Sequence, residues 1–318
     1  MEMTHNFLLL PNGKIDVAQV LRGSGKTKEE CDQTIATTGI KTLCHAGDRL
    51  LSEFALSGLT KISKAHANIF VDVDAVIVIS QSYDHRIPSL STRIQKHLNL
   101  KAETFCVDIM DGCSGYIKAL SIASMLSSNA YKKVLIISGD INSAMTTNAE
   151  LATKILFGDG LAVSVLEEGI HELNTKLFND GDIDNVISCD VRENIMHMNG
   201  FEVFRFTRNV VPKLIKGYLA ETNDNLDSYD LIALHQASDL VVSTISKILK
   251  LNNRLIENFA CGEIGNLGAG SIGAWLSQGK NLTEVGKQKM LAVGFGSGLS
   301  WGLASLIVNL KTNEVIHV

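Results

Sequence analysis

The chain has 318 residues, of which 45% are hydrophobic, and its formal net charge is −5. This is the composition of a globular protein that is long enough for one large domain or two of about 150 residues. A net negative charge gives no overall attraction to phosphate backbones or anionic lipids, so we expect neither a nucleic acid nor a membrane surface as partner.

Apolar runs rich in β-branched residues alternate with helical patterns along the chain. A run that is continuously apolar is typical of a strand buried on both faces. Such strands are predicted at Asp74–Ser80, Lys133–Ser138, Leu161–Leu166, Asp230–Leu234 and Met290–Phe295. Helices are predicted at Arg49–Ile62, Ser114–Leu126, Glu202–Leu219, Asp239–Leu249 and Ser271–Gln278. This alternation predicts an α/β fold.

Three features of the sequence bear on its cellular compartment. The uncharged stretch from Leu291 to Val308 could form a marginal membrane span, but its glycines favour two short buried strands around a tight turn. Glu2 is acidic where a signal peptide needs positive charge. The six cysteines form no CxxC pair and no cluster at metal-ligand spacing. We therefore expect reduced thiols, no metal site and a cytoplasmic protein.

The two halves of the chain repeat one pattern of a strand, a glycine-flanked turn, a helix and a further strand. In the first half the turn and helix read DGCSGYIKAL, and in the second they read GNLGAGSIGAWL. Cys113 and Asn266 take equivalent places at these turns. The repeat predicts a duplicated α/β domain, with halves at residues 1–166 and 167–318 and a site between them. The alternative is a coincidence among common strand–helix–strand units.

Cys113 comes just before a predicted helix. A thiol at a helix N-terminus faces unpaired amide groups and the positive end of the helix dipole, which are expected to lower its pKa. Gly112 and Gly115 allow the backbone to approach a ligand closely. The alternative is a buried and inert thiol. That alternative is our interpretation of the remaining cysteines, Cys31, Cys44, Cys106, Cys189 and Cys261.

His235 and Asn266 are two further candidates for the site. His235 directly follows a buried-strand pattern, and ligands of α/β folds bind beyond the carboxyl ends of strands. Asn266 lies in a glycine-rich turn. The alternatives are a capping or core histidine and an asparagine that tolerates a left-handed turn. Together with Cys113 they form a set that serves either thioester acyl transfer or papain-type hydrolysis. The papain pattern fails, because Cys113 lies deep in the chain and outside a CGSCW-like stretch.

Eight motifs in order resemble the ketoacyl-acyl-carrier-protein synthase III family of the thiolase superfamily. They are TGIK, DIMDGCSGY, KKVLIISGD, ILFGDGLAVSVLE, HMNGFEVFRF, LHQAS, GNLGAGSIGAWL and GFGSGLSWG. The resemblance spans most of the chain, from Thr38 to Gly302. It implies a thiolase-like duplicated fold, which is a five-layered αβαβα sandwich, and usually a homodimer.

The resemblance also implies the roles of individual residues. Cys113 is the acylated nucleophile, and His235 and Asn266 stabilise the enolate of a malonyl-type thioester after its decarboxylation. The backbone amides of Cys113 and Ser297 form the second oxyanion hole. The implied mechanism is ping-pong and needs no metal or redox cofactor.

The sequence departs from the family where coenzyme A binds. The usual tryptophan and arginine before TGI fall on Gln33 and Thr37, and the arginine before FGDG falls on Leu151. These departures put a coenzyme A entrance in doubt. The substrates that the resemblance implies are acyl-coenzyme A or acyl-carrier-protein thioesters.

Contacts with a carrier and with a partner subunit follow from the same resemblance. The basic residue after HQA that is associated with carrier docking is Leu240 here, whereas Arg205 and Lys213 remain on a predicted helix where an acidic carrier could dock. The alternative for these two charges is a solvated face. Ile87 aligns with the residue that commonly reaches the acyl pocket of the partner subunit.

Three functions remain open at this point. The first is decarboxylative Claisen condensation in fatty acid or specialised-metabolite biosynthesis. The second is acyl transfer from Cys113 to an alcohol or amine. The third is a non-catalytic subunit of a heteromeric synthase, against which the presence of all three site residues argues.

Overall fold

The structure is a computed structural model that describes residues 1–129, 131–181, 185–251, 260–278 and 282–318. Up to residue 167 the elements are β1 (Glu2–Leu10), β2 (Gly13–Asp16), α1 (Val17–Gly23), α2 (Lys28–Thr38), β3 (Thr42–His45), α3 (Leu51–Ala65), β4 (Ala75–Ser80), α4 (Leu90–His97), β5 (Phe105–Met110), α5 (Gly115–Ser127), β6 (Lys133–Asp140), α6 (Ser143–Thr146), α7 (Leu151–Lys154) and β7 (Gly160–Glu167). They are followed by β8 (Asn174–Asn179), β9 (Ile187–Cys189), β10 (Met196–Met198), α8 (Gly200–Thr222), β11 (Leu231–Leu234), α9 (Asp239–Leu249), α10 (Ser271–Gln278), β12 (Gln288–Gly296) and β13 (Ser300–His317).

All five predicted strands and all five predicted helices are present, with ends that shift by a few residues. The stretch from Leu291 to Val308 lies in two strands, β12 and β13, which pair antiparallel. Among the described residues, no helix combines the length and apolar character that a membrane span requires. The periodicity of the sequence was therefore sufficient to separate strands from helices.

Nine strands form one continuous sheet, whose two halves are called the N-terminal and the C-terminal sheet below, and β2–β3 and β9–β10 form two small separate sheets. In the N-terminal sheet, β5, β4 and β6 are parallel, and β7 and β1 follow with antiparallel pairings. In the C-terminal sheet, β11 and β12 are parallel, and β13 and β8 add antiparallel pairings. The strand β13 continues past this sheet and pairs parallel with β1. The two sheets are thus joined through β1 and β13.

Side chains on opposite faces of each sheet belong to different apolar clusters. Val76 and Val78 of β4 pack with α3 and α4, whereas Ile77 belongs to a central cluster with α5 and α10. Ala292 of β12 joins this central cluster, and Val293 faces a third cluster with α8 and α9. Two sheets between three helical layers form the predicted five-layered αβαβα sandwich.

The central helical layer determines where a site can lie. Both α5 and α10 pack in it, and each begins directly after one of the two repeated glycine-containing turns. Asn266 forms an isolated bridge with Phe157, and Gly294 of β12 lies against the backbone of Cys113. Cys113 and Asn266 line the same cavity, so the turns that carry them meet there.

Candidate active site

Cys113 lies in the short link between β5 and α5 and is partly buried. β12 passes directly beside it, since a β-carbon built on Gly296 would lie 2.6 Å from the β-carbon of Cys113 and 3.1 Å from its sulfur. Real side chains do not approach one another so closely, so only glycine lets β12 run against the thiol. Cys113, His235 and Asn266 line one cavity of about 150 Å³.

Both the backbone and the ring of His235 make contacts that fix its position. Its N–H donates to the carbonyl of Val293 at 2.8 Å, which extends the pairing of β11 with β12 by one residue. The ring lies edge-on to Phe295 at 5.2 Å between centroids, and its Nδ1 is 2.6 Å from Oγ of Ser271. Only 1% of His235 is exposed. This burial lowers the pKa of His235 to about 3, so the imidazole is neutral at physiological pH.

Asn266 is oriented by the turn in which it lies. Its backbone N–H donates to the carbonyl of Leu156 at 2.8 Å, and its Oδ1 accepts from the N–H of Gly268 at 2.9 Å. Gly268 has a left-handed φ of 56°, which glycine adopts readily. Because the turn uses the carboxamide oxygen, the NH₂ group is the end of the side chain that can donate to a ligand in the cavity.

Ser297 directly follows β12 and lies close to Gly112, the residue before Cys113. A β-carbon on Gly112 would lie 2.7 Å from Oγ of Ser297 and 2.7 Å from Oε1 of Gln81. Nε2 of Gln81 donates to Oγ of Ser297 at 3.4 Å. The structure therefore brings the predicted Ser297 to the Cys113 turn and adds Gln81, which no sequence motif had indicated. The position of Gln81 directly after the predicted strand β4 could have indicated that it lies near the site, because ligands of α/β folds bind beyond the carboxyl ends of strands.

Gln81 and Ser297 line a second cavity, of about 630 Å³, and are not part of the lining of the cavity that contains Cys113. Three methionines contribute to its walls, together with Tyr83, Asp108 and Cys189. Methionine is flexible and adapts to irregular shapes. The methionines are Met110, Met145 and Met196.

The pKa of the Cys113 thiol corrects one expectation from the sequence. Burial raises this pKa to about 12, and the nearby carboxylates of Asp140 and Asp111 act in the same direction. The predicted lowering at a helix N-terminus is therefore wrong, because burial and the two carboxylates outweigh it. Sequence shows the start of the helix, but it does not show the loss of hydration or the two acidic neighbours that oppose ionisation.

The two acidic residues beside the thiol have different surroundings. Asp111 accepts from the N–H of Gly112 at 2.7 Å and forms an ion pair with Lys118. Asp140 is buried, and its Oδ1 accepts from the hydroxyl of Ser80 at 2.6 Å and from the loop that follows β4. Burial raises the pKa of Asp140.

Besides Ser297, three predicted residues lie outside the cavity that contains Cys113. Arg205 and Lys213 are exposed on α8, and Arg205 forms an ion pair with Glu202. The N-terminal turns of α8 line the cavity through Gly200, Val203 and Phe204, whereas Arg205 is not part of its lining. Ile87 is 85% exposed on the loop after β4.

The described wall of the cavity that contains Cys113 has no acidic or basic side chain apart from neutral His235. Thr37, Thr38 and Leu240 contribute to this wall, and Leu240 is 41% exposed. Within the part of the chain that the structure describes, no lysine or arginine lines this cavity. The same part contains no group of three or more His, Cys, Asp or Glu side chains that could hold a metal ion.

This fold and this cavity, which a cysteine from the first half of the chain and a histidine and an asparagine from the second half line together, define an acyl-transferring enzyme of the thiolase fold. Comparisons with known proteins agree. Residues 107–181 match the model for 3-oxoacyl-[acyl-carrier-protein] synthase III, and residues 219–308 match the model for its C-terminal part. The chain belongs to the 3-oxoacyl-[acyl-carrier-protein] synthase III family and is a condensing acyltransferase.

Relatives cover nearly the whole chain. Beta-ketoacyl-[acyl-carrier-protein] synthase III of Clostridium kluyveri is 31% identical over 86% of this chain and 88% of its own. The enzyme of the same name from Streptococcus gordonii is 30% identical over 93% and 94%. A crystal structure of 3-oxoacyl-(acyl-carrier protein) synthase from Burkholderia xenovorans superposes with a TM-score of 0.90 at 25% identity, and covers 100% of this chain and 97% of its own.

Proposed function

We propose that Cys113 is the nucleophile that carries the acyl group. Its sulfur attacks the carbonyl carbon of an acyl thioester, a new carbon–sulfur bond forms, and the bond to the first carrier breaks. The thiol proton of Cys113 ends on the departing carrier thiol, so this half-reaction needs no net proton. Backbone N–H groups of Cys113 and Ser297 are the donors that we assign to the oxyanion of this step.

The second half-reaction is a decarboxylative Claisen condensation. A malonyl-type thioester loses CO₂, and its enolate carbon attacks the carbonyl of the acyl group on Cys113. A carbon–carbon bond forms, the bond to sulfur breaks, and the Cys113 thiolate takes up one proton. His235 and Asn266 donate to the thioester oxygen on which the enolate charge develops. One such donor is typically worth about 10²–10³ in rate.

The single observation that carries this proposal is the meeting of Cys113, His235 and Asn266 in one cavity. Burial keeps the imidazole neutral, which suits a hydrogen-bond donor better than a proton acceptor. Neither half-reaction changes an oxidation state, and we therefore propose that no metal or redox cofactor takes part. A non-catalytic subunit would not require this set of three side chains.

Release of CO₂ tests the condensation. Protein that has first been acylated is mixed with a malonyl thioester, and CO₂ and the 3-oxoacyl product are measured together. Claisen chemistry predicts one product molecule per CO₂, and both fall in His235→Ala and Asn266→Ala. Acyl transfer to an added alcohol or amine without CO₂ would instead assign the heteroatom reaction.

We further propose an acyl carrier protein as the acyl donor, in preference to coenzyme A. The relatives named above are carrier-protein synthases by name, and the mouth of this cavity offers no cation for the phosphates of coenzyme A among its described lining residues. Arg205 and Lys213 are the docking residues that we assign to the acidic carrier. Comparing acylation rates with the same acyl group on the two donors tests this preference.

The proposed assembly is a cytoplasmic homodimer in which Ile87 of each subunit reaches the acyl pocket of the other. Ile87 is 85% exposed, and β5 has an unpaired edge in the described sheet, so both are available to a second copy. Residues 1–166 and 167–318 are the two halves that we propose for the duplicated subunit. Sedimentation of wild-type protein tests the dimer.

A further inference from the structure

The hydroxyl of Ser271 lies behind the histidine of the site. Ser271 is the first residue of α10 and is 1% exposed. Its Oγ lies 2.6 Å from Nδ1 of His235, and the backbone N–H of Gln236 donates to the same Oγ at 3.3 Å. The imidazole of His235, the hydroxyl of Ser271 and the backbone amide of Gln236 therefore meet inside the protein.

The hydrogen atoms can be assigned by counting donors and acceptors. The N–H of Gln236 can only donate, so it occupies one lone pair of the Ser271 oxygen. If the hydroxyl hydrogen points at Nδ1 of His235, each of the three groups has a partner. If Nδ1 carried the hydrogen instead, the hydroxyl hydrogen would need another acceptor, and the described residues provide Ser271 with no further partner. Leaving such a buried donor unpaired costs about 1–3 kcal/mol in general.

We propose that Ser271 is a positioning residue that fixes His235 in the tautomer with its hydrogen on Nε2. The ring is neutral, so it carries only one such hydrogen. With Nδ1 occupied by the hydroxyl, Nε2–H is the group that His235 presents to a ligand in the cavity. Because α10 fixes the hydroxyl on a rigid element, the donor is set before substrate arrives.

This inference rests on the proposed function only where it states what the Nε2–H group of His235 binds during the reaction. In the condensation, Nε2–H is the hydrogen bond that His235 provides to the enolate oxygen. In the acylation of Cys113, this nitrogen has no lone pair to accept the thiol proton. Loss of the Ser271 hydroxyl should therefore impair CO₂ release while the acylation of Cys113 stays close to the wild-type rate.

Nitrogen NMR of the full-length protein with ¹⁵N-labelled histidine tests the tautomer directly. His235→Gln assigns the signals of His235. We expect wild-type His235 to show a protonated Nε2 and an unprotonated Nδ1 at neutral pH. In Ser271→Ala both signals should move toward the values of mixed tautomers, and CO₂ release should fall at least about tenfold. Ser277→Ala is the matched control, because Ser277 lies on the same helix and donates to Gly273 instead.

Each result bears on the inference. Hydrogen on Nδ1 of wild-type His235 would overturn it, and so would Ser271→Ala with unchanged nitrogen signals and unchanged CO₂ release. The NMR result needs no substrate, so it stands apart from the proposed function. If Cys113 fails to become acylated while the tautomer is as expected, the proposed function fails and the assignment of Ser271 remains.

Discussion

Gly296 and Cys113 are in such close contact that a β-carbon on Gly296 would lie 2.6 Å from the β-carbon of Cys113. This contact couples the end of β12 to the turn that carries the thiol. It also brings Ser297, the next residue, to the same turn. The geometry of the nucleophile therefore depends on a strand that lies almost 200 residues further along the chain.

Gly296→Ala should destabilise the protein, because the new methyl group has no room beside Cys113. Overpacking of this kind typically costs about 1–3 kcal/mol in the free energy of unfolding, and we expect acylation to slow as well. Gly217→Ala in α8 is the control, since a β-carbon there meets no atom within 4 Å. Denaturant unfolding of the two variants measures the difference. Equal stability of both would refute the close contact.

The thiol of Cys113 should be almost fully protonated at neutral pH. With a pKa of about 12, roughly one molecule in 10⁴ carries the thiolate at pH 8. Alkylation of Cys113 by iodoacetamide, followed by peptide mass spectrometry, should therefore accelerate as the pH rises through 8 to 10. A plateau of the alkylation rate below pH 9 would contradict this prediction.

Removing a negative charge beside the thiol should favour its ionisation. Asp111→Asn removes one of the carboxylates that raise the pKa of Cys113, so Cys113 should be alkylated faster at a given pH. Asp227→Asn is the control, because Asp227 precedes β11 and the site lies beyond the other end of that strand. If both variants react at the same rate, Asp111 does not influence the thiol.

Burial of neutral His235 makes stability depend on pH. The pKa of this group is about 3 in the folded protein and about 6.5 in the unfolded chain, so the unfolded chain binds more protons as the pH falls below 6.5. The stabilisation is complete above pH 6.5 and is lost progressively from there toward pH 3. Between pH 7 and pH 5 the loss from His235 is about 2 kcal/mol.

Chemical denaturation at the two pH values measures this effect in wild type and in His235→Gln. The variant should lose less stability than wild type over the same range, whatever its stability at pH 7. His5, whose pKa burial lowers to about 4, contributes equally to both proteins and cancels in the comparison. An identical loss in the two proteins would show that His235 takes up its proton without opposing the fold.

Reversing the charges on α8 should weaken binding of the carrier and leave the fold intact. Arg205→Glu combined with Lys213→Glu should raise KM for an acyl-carrier thioester by about tenfold. KM of the wild-type protein should depend on the salt concentration, and KM of the double variant should not. Lys96→Glu is the control, because α4 lies in the opposite outer layer of the sandwich. Steady-state rates at two ionic strengths provide the measurement. An unchanged KM would remove Arg205 and Lys213 from the docking surface.

Local sequence patterns predicted five strands and five helices, and long-range packing determined how they meet. The strand at Ala75–Ser80 and the helix at Asp239–Leu249 follow from apolar periodicity, which a single segment contains. The meeting of Cys113 with Asn266 was predicted from the internal repeat. The contact of Ser271 with His235 could not be, because it depends on how α10 packs against the end of β11.

The electrostatics of the site were the least predictable part. The start of a helix beside Cys113 is visible in the sequence, and it suggested a lowered pKa. The opposite direction results from burial and from Asp140, which approaches from β6. Desolvation and charge neighbours depend on the whole packed structure, and they outweigh the local effect of one helix end.

Intact-mass spectrometry of the protein after incubation with an acyl-carrier thioester tests whether Cys113 carries the acyl group. We expect one acyl adduct per chain, which maps to Cys113, is discharged by a malonyl thioester, and does not form in Cys113→Ala. An adduct that persists in Cys113→Ala, or the absence of any adduct on the wild-type protein, would contradict the role of Cys113 as nucleophile.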